Sequence, residues 1–208
     1  MQDLSLIVGL GNPGPEYRNT RHNAGFMLAD RLAEGWRGSW RMESKFFSEI
    51  AECRVSGCRV ILCRPQTFMN ASGQAVARVA SFYKVSPDHI LILVDDADLP
   101  LGALRLRPEG SPGGHHGLES VEQALGTRAY PRLKVGIARP RQDRRNIAGH
   151  VLGVVSDDEQ PVLNEVLTRA CQQVECWLAD GVMRAMNRFN GSGPVPPKDS
   201  TNRERNTQ

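Results

Sequence analysis

The 208-residue chain has little that would send it out of the cell or into a membrane. No basic stretch followed by an apolar core opens it, and no apolar run approaches spanning length, so a cytoplasmic protein is expected. No internal repeat is apparent, and length and apolar fraction suit one domain with a single core. A Ser-centred Gly-x-Ser-x-Gly elbow is missing, which argues against a serine hydrolase. Cysteine is scarce and odd in number at five, which without an export signal reads as reduced thiols. Cys53, Cys58 and Cys63 are evenly spaced, but Cys58 and Cys63 lie an odd number of residues apart in one expected strand. Their side chains point to opposite faces and cannot converge on one ion. All three, with Cys171 and Cys176, are expected to be buried small hydrophobes. Net charge is only +3, but nine Lys/Arg against four acids between Arg105 and Arg145 give that stretch a local +5 and leave −2 elsewhere. Such a patch fits either a solvated surface or a nucleic-acid partner.

What the chain does have is Gly9-Leu10-Gly11-Asn12-Pro13-Gly14, closing the apolar run Leu6-Ile7-Val8. These six residues satisfy the dinucleotide fingerprint by spacing. A pyrophosphate loop, however, needs a helix starting within the glycines, and Pro13 and Pro15 remove N–H donors there. Helical periodicity begins only near Asn23, with Ala24, Met27, Leu28, Leu32 and Ala33 inward, and Asp30 falls inside that helix instead of at a second strand tip. An NAD-dependent oxidoreductase is therefore set aside.

Strand patterns cover Leu4–Leu10, Ser48–Val55, Arg59–Arg64, Ile90–Val94, Ala103–Arg107 and Leu133–Ala138. Helical patterns cover Asn23–Glu34, Asn70–Lys84, Leu118–Leu125 and Asp157–Ala179, with a short piece at Gly181–Asn187. This alternation predicts an α/β fold: a single layered domain, residues 1–189, with a twisted mixed β-sheet flanked by helices. Ser56-Gly57 makes Ser48–Arg64 a hairpin. From 190 to 208 the composition turns to Gly, Pro, Ser and charged residues, the pattern of a disordered tail. In open α/β sheets the crevice outside the strands' carboxyl ends is the usual site, which brings Asn12, His22, Asn70 and Asp95 within reach of one another.

His22 can accept a proton near neutral pH, although a surface or capping histidine is the plainer alternative beside Asn23, itself an N-cap candidate. Asp95, Asp96 and Asp98 follow the apolar strand Ile90–Val94; one of them paired with the histidine would fix its tautomer, and spacing alone does not choose among them. Asn12 and Asn70 carry two donors and an acceptor each, suited to holding a carbonyl and a water, while Asn70 is also placed to cap a helix. Gly110–Gly117 is a glycine-rich segment of the kind that gates sites. Its adjacent His115 and His116 diverge and lack a third ligand at zinc-like spacing, so no metal is expected.

Together, Leu6–Gly14, Tyr17, Thr20–Phe26, Pro65–Gly73, Asp95–Pro100 and Gly113–Leu118 resemble bacterial peptidyl-tRNA hydrolase, in order and over Leu4 to Asn187. The resemblance implies hydrolysis of the ester between peptide and tRNA, with no cofactor, by a monomer whose partner is peptidyl-tRNA. It selects Asp95 as the orienting acid and His22 as the base. It places Asn12 and Asn70 along the peptide–ester cleft, Met69 as an apolar wall, and Phe68 and Tyr17 nearby. Arg107 and Lys134 would clamp the tRNA terminal 5′-phosphate, and Arg105 and Arg132 would help or be exposed strand charges. His116 stands where the family has an asparagine, which leaves its grip on substrate open. A non-catalytic RNA-binding relative is the alternative, and the presence of both His22 and Asp95 speaks against it.

Overall fold

The computed structural model describes residues 4–139 and 146–193. Its strands are β1 (Leu4–Gly9), β2 (Arg41–Glu43), β3 (Ser48–Val55), β4 (Cys58–Pro65), β5 (Ile90–Asp96), β6 (Ala103–Arg107), β7 (Arg132–Gly136) and β8 (Gly191–Ser192). The helices are α1 (Ala24–Gly35), α2 (Ser72–Tyr83), α3 (His116–Leu125), α4 (Ile147–Val151), α5 (Gln160–Asp180) and α6 (Val182–Phe189). One sheet runs in the order β2-β3-β4-β1-β5-β7-β6-β8, parallel where β4, β1, β5 and β7 meet and antiparallel at both flanks. This is the mixed, layered α/β fold that the alternating pattern predicts.

The central strands are buried on both faces, which is why they read as unbroken apolar runs. Ile7 packs with Leu28, Leu32, Leu163 and Val166 on the α1/α5 face. Leu6 and Val8 pack with Val76, Val79, Leu118 and Val121 on the α2/α3 face. Thus α1 and α2, which leave β1 and β4, cover opposite sides of the sheet, and a crevice opens past the carboxyl ends of β1, β4 and β5. Gly25 keeps that crevice narrow: a Cβ there would strike the backbone of Leu10 and Leu93, and one at Gly9 would strike Gly25. Close approach of α1 to the strand ends carries the loop before it, with His22, onto the end of β5.

The β3–β4 hairpin turns on Ser56 and Gly57, both with positive φ, the two-residue turn that suits twisted antiparallel strands. Several expectations need correction. Asn23 sits at the N-cap of α1 but makes no capping bond; its amide spans to Asn12 instead. Helix α2 likewise has no side-chain cap, so Asn70 does not play that part. Cys53, Cys63 and Cys176 are buried, whereas Cys58 and Cys171 are half-buried, because Cys58 opens its strand beside the turn. Cys53 and Cys63 belong to the two opposite cores: Cys63 pairs across with Ile50, and alternation along β3 sends Ile50 and Cys53 to opposite faces. Helix α5 starts at Gln160, three residues after the pattern begins, with Pro161 in its first turn. At the head of the expected tail, Gly191 and Ser192 pair with β6, and Asn190 bonds both the N–H and the carbonyl of Leu106; residues 194–208 lie outside the described residues, as do Arg141, Arg144 and Arg145 of the basic stretch.

Candidate active site

Asp95, the penultimate residue of β5, lies at the bottom of the crevice, only 3% exposed, where a carboxylate must be partnered to be tolerated. Two imidazoles supply the partners. His22 Nδ1 lies 3.0 Å from Oδ1 and 3.1 Å from Oδ2, and His115 Nε2 lies 3.0 Å from Oδ1. The rings lean together with centroids 4.9 Å apart. His115 comes from the glycine-rich loop, which can turn its imidazole inward because Gly113 and Gly114 take left-handed backbone angles.

Hydrogen bonding assigns the tautomers. His115 Nδ1 accepts from the N–H groups of Gly117 and Leu118 at 3.1 and 3.3 Å, capping α3, so its proton sits on Nε2 and is donated to Asp95. His22 donates from Nδ1 to the same carboxylate, which leaves the Nε2 lone pair for the cleft. Burial of Asp95 pushes its carboxyl pKa up, but the charge and hydrogen bond of His115, followed by those of His22, outweigh it and hold the value at about 2. The three side chains present potential ligand atoms within 4.8 Å of one another, the one such group among the described residues. The nitrogens facing Asp95 carry the protons of its two hydrogen bonds, so neither offers a lone pair on that side.

Asn12 is fixed as tightly. Its N–H donates to Asn23 Oδ1, its carbonyl accepts from Asn23 Nδ2, and its Oδ1 accepts from Met69 N at 2.8 Å. The amide is therefore oriented with Nδ2 left to donate into the cleft. That cleft, about 620 Å³, is lined by Asn12, His22, Asp95 and His115 on its floor and by Phe68, Met69 and Asn70 on one wall. A further part of the lining is apolar and comes from α4 and the residue after it: Ile147, Ala148, Val151 and Leu152. Phe68 is 62% exposed and Met69 is buried. Tyr17 does not line the cleft: its carbonyl, in a 3-10 turn, accepts from Thr20 and braces the loop that carries His22.

On the β6–β7 side, pairing sets Arg105 opposite Lys134 and Arg107 opposite Arg132, all four on the sheet face away from Leu104, Leu106, Leu133 and Val135. They differ in burial. Arg107 is exposed, whereas Lys134 lines the cleft and pairs with Asp96 at 2.9 Å. Arg132 is neither an exposed strand charge nor open to phosphate: at 1% exposure it donates to the carbonyls of Arg128, Tyr130 and Gly110 and lies over the Tyr130 ring. The guanidinium is spent on holding the base of the glycine-rich loop. His116 has a side chain 76% exposed, at the cleft's edge, with Nδ1 2.9 Å from Glu119.

Comparison with known proteins decides what this arrangement belongs to. The family model described as peptidyl-tRNA hydrolase matches residues 6–198. The chain belongs to the peptidyl-tRNA hydrolase family. A peptidyl-tRNA hydrolase of Synechococcus sp. (strain JA-3-3Ab) is 50% identical over 194 residues, covering 92% of this chain and 86% of that protein. One from Desulforamulus reducens is 44% identical over 187 residues, covering 90% and 89%. The crystal structure of peptidyl-tRNA hydrolase from Acinetobacter baumannii superposes with a TM-score of 0.88 at 37% identity, covering 94% of this chain and 98% of that one.

Against this family background, the fold gathers His22, Asp95, Asn12, Phe68, Met69, Asn70, Lys134 and His116 around one cleft, while Arg107 and Tyr17 stand outside it. Sequence reasoning missed His115. Its signal was there, since a histidine before an apolar helix is an N-cap as much as a ligand, but His-His had been weighed only as a metal pair. The α4 wall was missed as well: its five residues are too short for a periodicity to show.

Proposed function

We propose that the chain hydrolyses the ester joining a peptide to the 3′-terminal ribose of tRNA, with His22 as general base and Asp95 as its orienting acid. The observation that carries this reading is the shared carboxylate: Asp95 accepts a hydrogen bond from the Nδ1–H of His22 and so aims an unprotonated Nε2 at the cleft. Water attacks the ester carbonyl carbon as its proton passes to Nε2. Asn12 Nδ2, held by the Met69 N–H on the other end of its amide, and Asn70 donate to the carbonyl oxygen as it becomes an oxyanion. Collapse expels the ribose 3′-oxygen, which takes the proton back from His22. The products are a peptide carboxylic acid and tRNA with a free 3′-hydroxyl.

Arg107, and Lys134 once drawn from Asp96, hold the tRNA 5′-phosphate, a contact without sequence information that suits an enzyme accepting every tRNA. Met69 and Phe68 flank the peptide. His116 meets the peptide end of the substrate through the loop that bears it, and Tyr17 acts only through that brace of the His22 loop. The catalytic unit is the single domain, with β8 (Gly191–Ser192) as its last described element. It works as a cytoplasmic monomer: every group invoked comes from one chain, all five cysteines are free, and no helix among the described residues is long and apolar enough to cross a membrane. The test is to offer the purified protein an N-blocked aminoacyl-tRNA and its unblocked counterpart. Cleavage of the blocked ester is expected; no cleavage of it would refute the reading.

A further inference from the structure

The cleft wall formed by α4 has no burial of its own to hold it. None of its five residues is buried, and a helix this short does not persist alone. Its place is set by the loop that carries His22. Arg21 N–H donates to Gly153 O at 3.1 Å, Val155 N–H to Asn19 O at 3.1 Å, and Thr20 and Val154 form an antiparallel bridge. The Arg21 side chain adds a fork: Nη1 donates to Val154 O at 3.0 Å and reaches His150 O at 3.5 Å, while Nη2 pairs with Glu159. Glu159 also accepts from the N–H of Ser156, and burial of its carboxylate is outweighed by that bond and by Arg21, so it stays charged. From the other side, His150 Nε2–H donates to the carbonyl of Ile137, just past the end of β7, at 3.2 Å.

We propose that the Arg21–Glu159 pair is a positioning device for ester hydrolysis, fixing the α4 wall at a set distance from the neighbouring residue, His22. This rests on the function proposed above. The wall lines the same cleft as Met69, Asn70 and His22, so its register determines where the peptide lies and therefore how the ester carbonyl sits over His22 Nε2. Arg is required over Lys because one planar guanidinium reaches two carbonyls and a carboxylate at once. A misplacement of about 1 Å can cost on the order of 100-fold in rate, while binding of the tRNA body at the β6–β7 face is untouched.

The experiment compares Arg21→Gln, Arg21→Lys and Glu159→Gln with the wild type in three readouts: kcat and KM on an N-acetyl-aminoacyl-tRNA, the pH–rate profile, and amide hydrogen exchange over residues 147–155. Arg21→Gln and Glu159→Gln are expected to lower kcat by roughly tenfold to 100-fold. KM should stay within about twofold because neither member of the pair contacts Arg107 or Lys134, which hold the phosphate. The acid limb should not move, exchange over 147–155 should quicken, and Arg21→Lys should recover part of the loss. Should Arg21→Gln not fold, Glu159→Gln and Arg21→Lys carry the same comparison. Faster exchange with unchanged kcat would overturn the proposal, as would unchanged exchange, or a shifted acid limb, which would make Arg21 act on His22 through charge. An inert wild type would sink the function reading itself, whereas these outcomes with an active wild type sink only the positioning role.

Discussion

The floor of the cleft and its rim are built on different terms. On the floor, Asp95, His22, His115, Asn12 and Asn23 interlock, so that nearly every polar atom not aimed at substrate has a partner. At the rim, Phe68 and His116 are exposed, and His116 has only a surface contact with Glu119. The chemistry is arranged in advance and recognition is left open to whatever peptide arrives. A preorganised floor costs nothing in reorganisation at the moment of reaction, while an exposed rim offers few fixed contacts with which to select one peptide over another.

Breaking the floor should therefore cost far more than altering the rim. His22→Ala is expected to lower kcat by ~10²–10⁴-fold. Thermal stability should fall modestly, because Asp95 loses one of its two imidazole partners and keeps His115; retention of more than half the turnover would remove His22 as base.

The floor also has a signature in stability. The Asp95 carboxyl falls from an ordinary 3.8 to about 2 on folding, so its contribution is fully present above about pH 4 and is lost as pH falls through about 2. Denaturant unfolding of the wild type should lose stability across that window more steeply than Asp95→Asn; equal slopes would show that the buried carboxylate is not held by its histidines.

On the basic face, Arg107→Glu should raise KM for tRNA esters several-fold, with little effect on a minimal ester lacking the tRNA body, and wild-type affinity should fall with salt. Lys134→Glu should add a cost in kcat, since Lys134 lines the cleft and its loss strands Asp96. Equal effects of either change on both substrates would end the phosphate assignment. The smallest effect belongs to the rim: His116→Asn should keep or slightly improve activity at neutral pH. In mild acid the wild type should lose substrate affinity relative to this variant, because imidazolium has no acceptor to offer. Matched affinity-versus-pH curves would place His116 in a solvent-facing turn with no part in binding.

Much of this was legible because it is periodic or punctuated. The double-faced burial of β1 and β5 is written in unbroken apolar runs, and the hairpin in Ser56-Gly57. The delay between the glycines and the first helix excluded a pyrophosphate loop, and in the structure the glycines serve packing against Phe26 and α1. What stayed hidden depends on contacts far apart in sequence. Nothing near Arg132 says that three backbone carbonyls await it, so it read as a surface charge. Nothing in Asn23 distinguishes a cap from a bond to Asn12 eleven residues away. Two-residue β8 and three-residue β2 have no room for alternation, and their pairing is fixed by the strands they join. His115 shows the same limit, since its role depends on where α3 starts relative to the end of β5.

The central claim is that Asp95 makes His22 the base. It is tested most directly by the pH dependence of kcat/KM for an N-acetyl-aminoacyl-tRNA in the wild type and in Asp95→Asn, which keeps the shape and removes the charge. The amide no longer favours imidazolium, so the acid limb should move to lower pH and the plateau rate should fall. An acid limb in the same place, with turnover unchanged, would contradict the account.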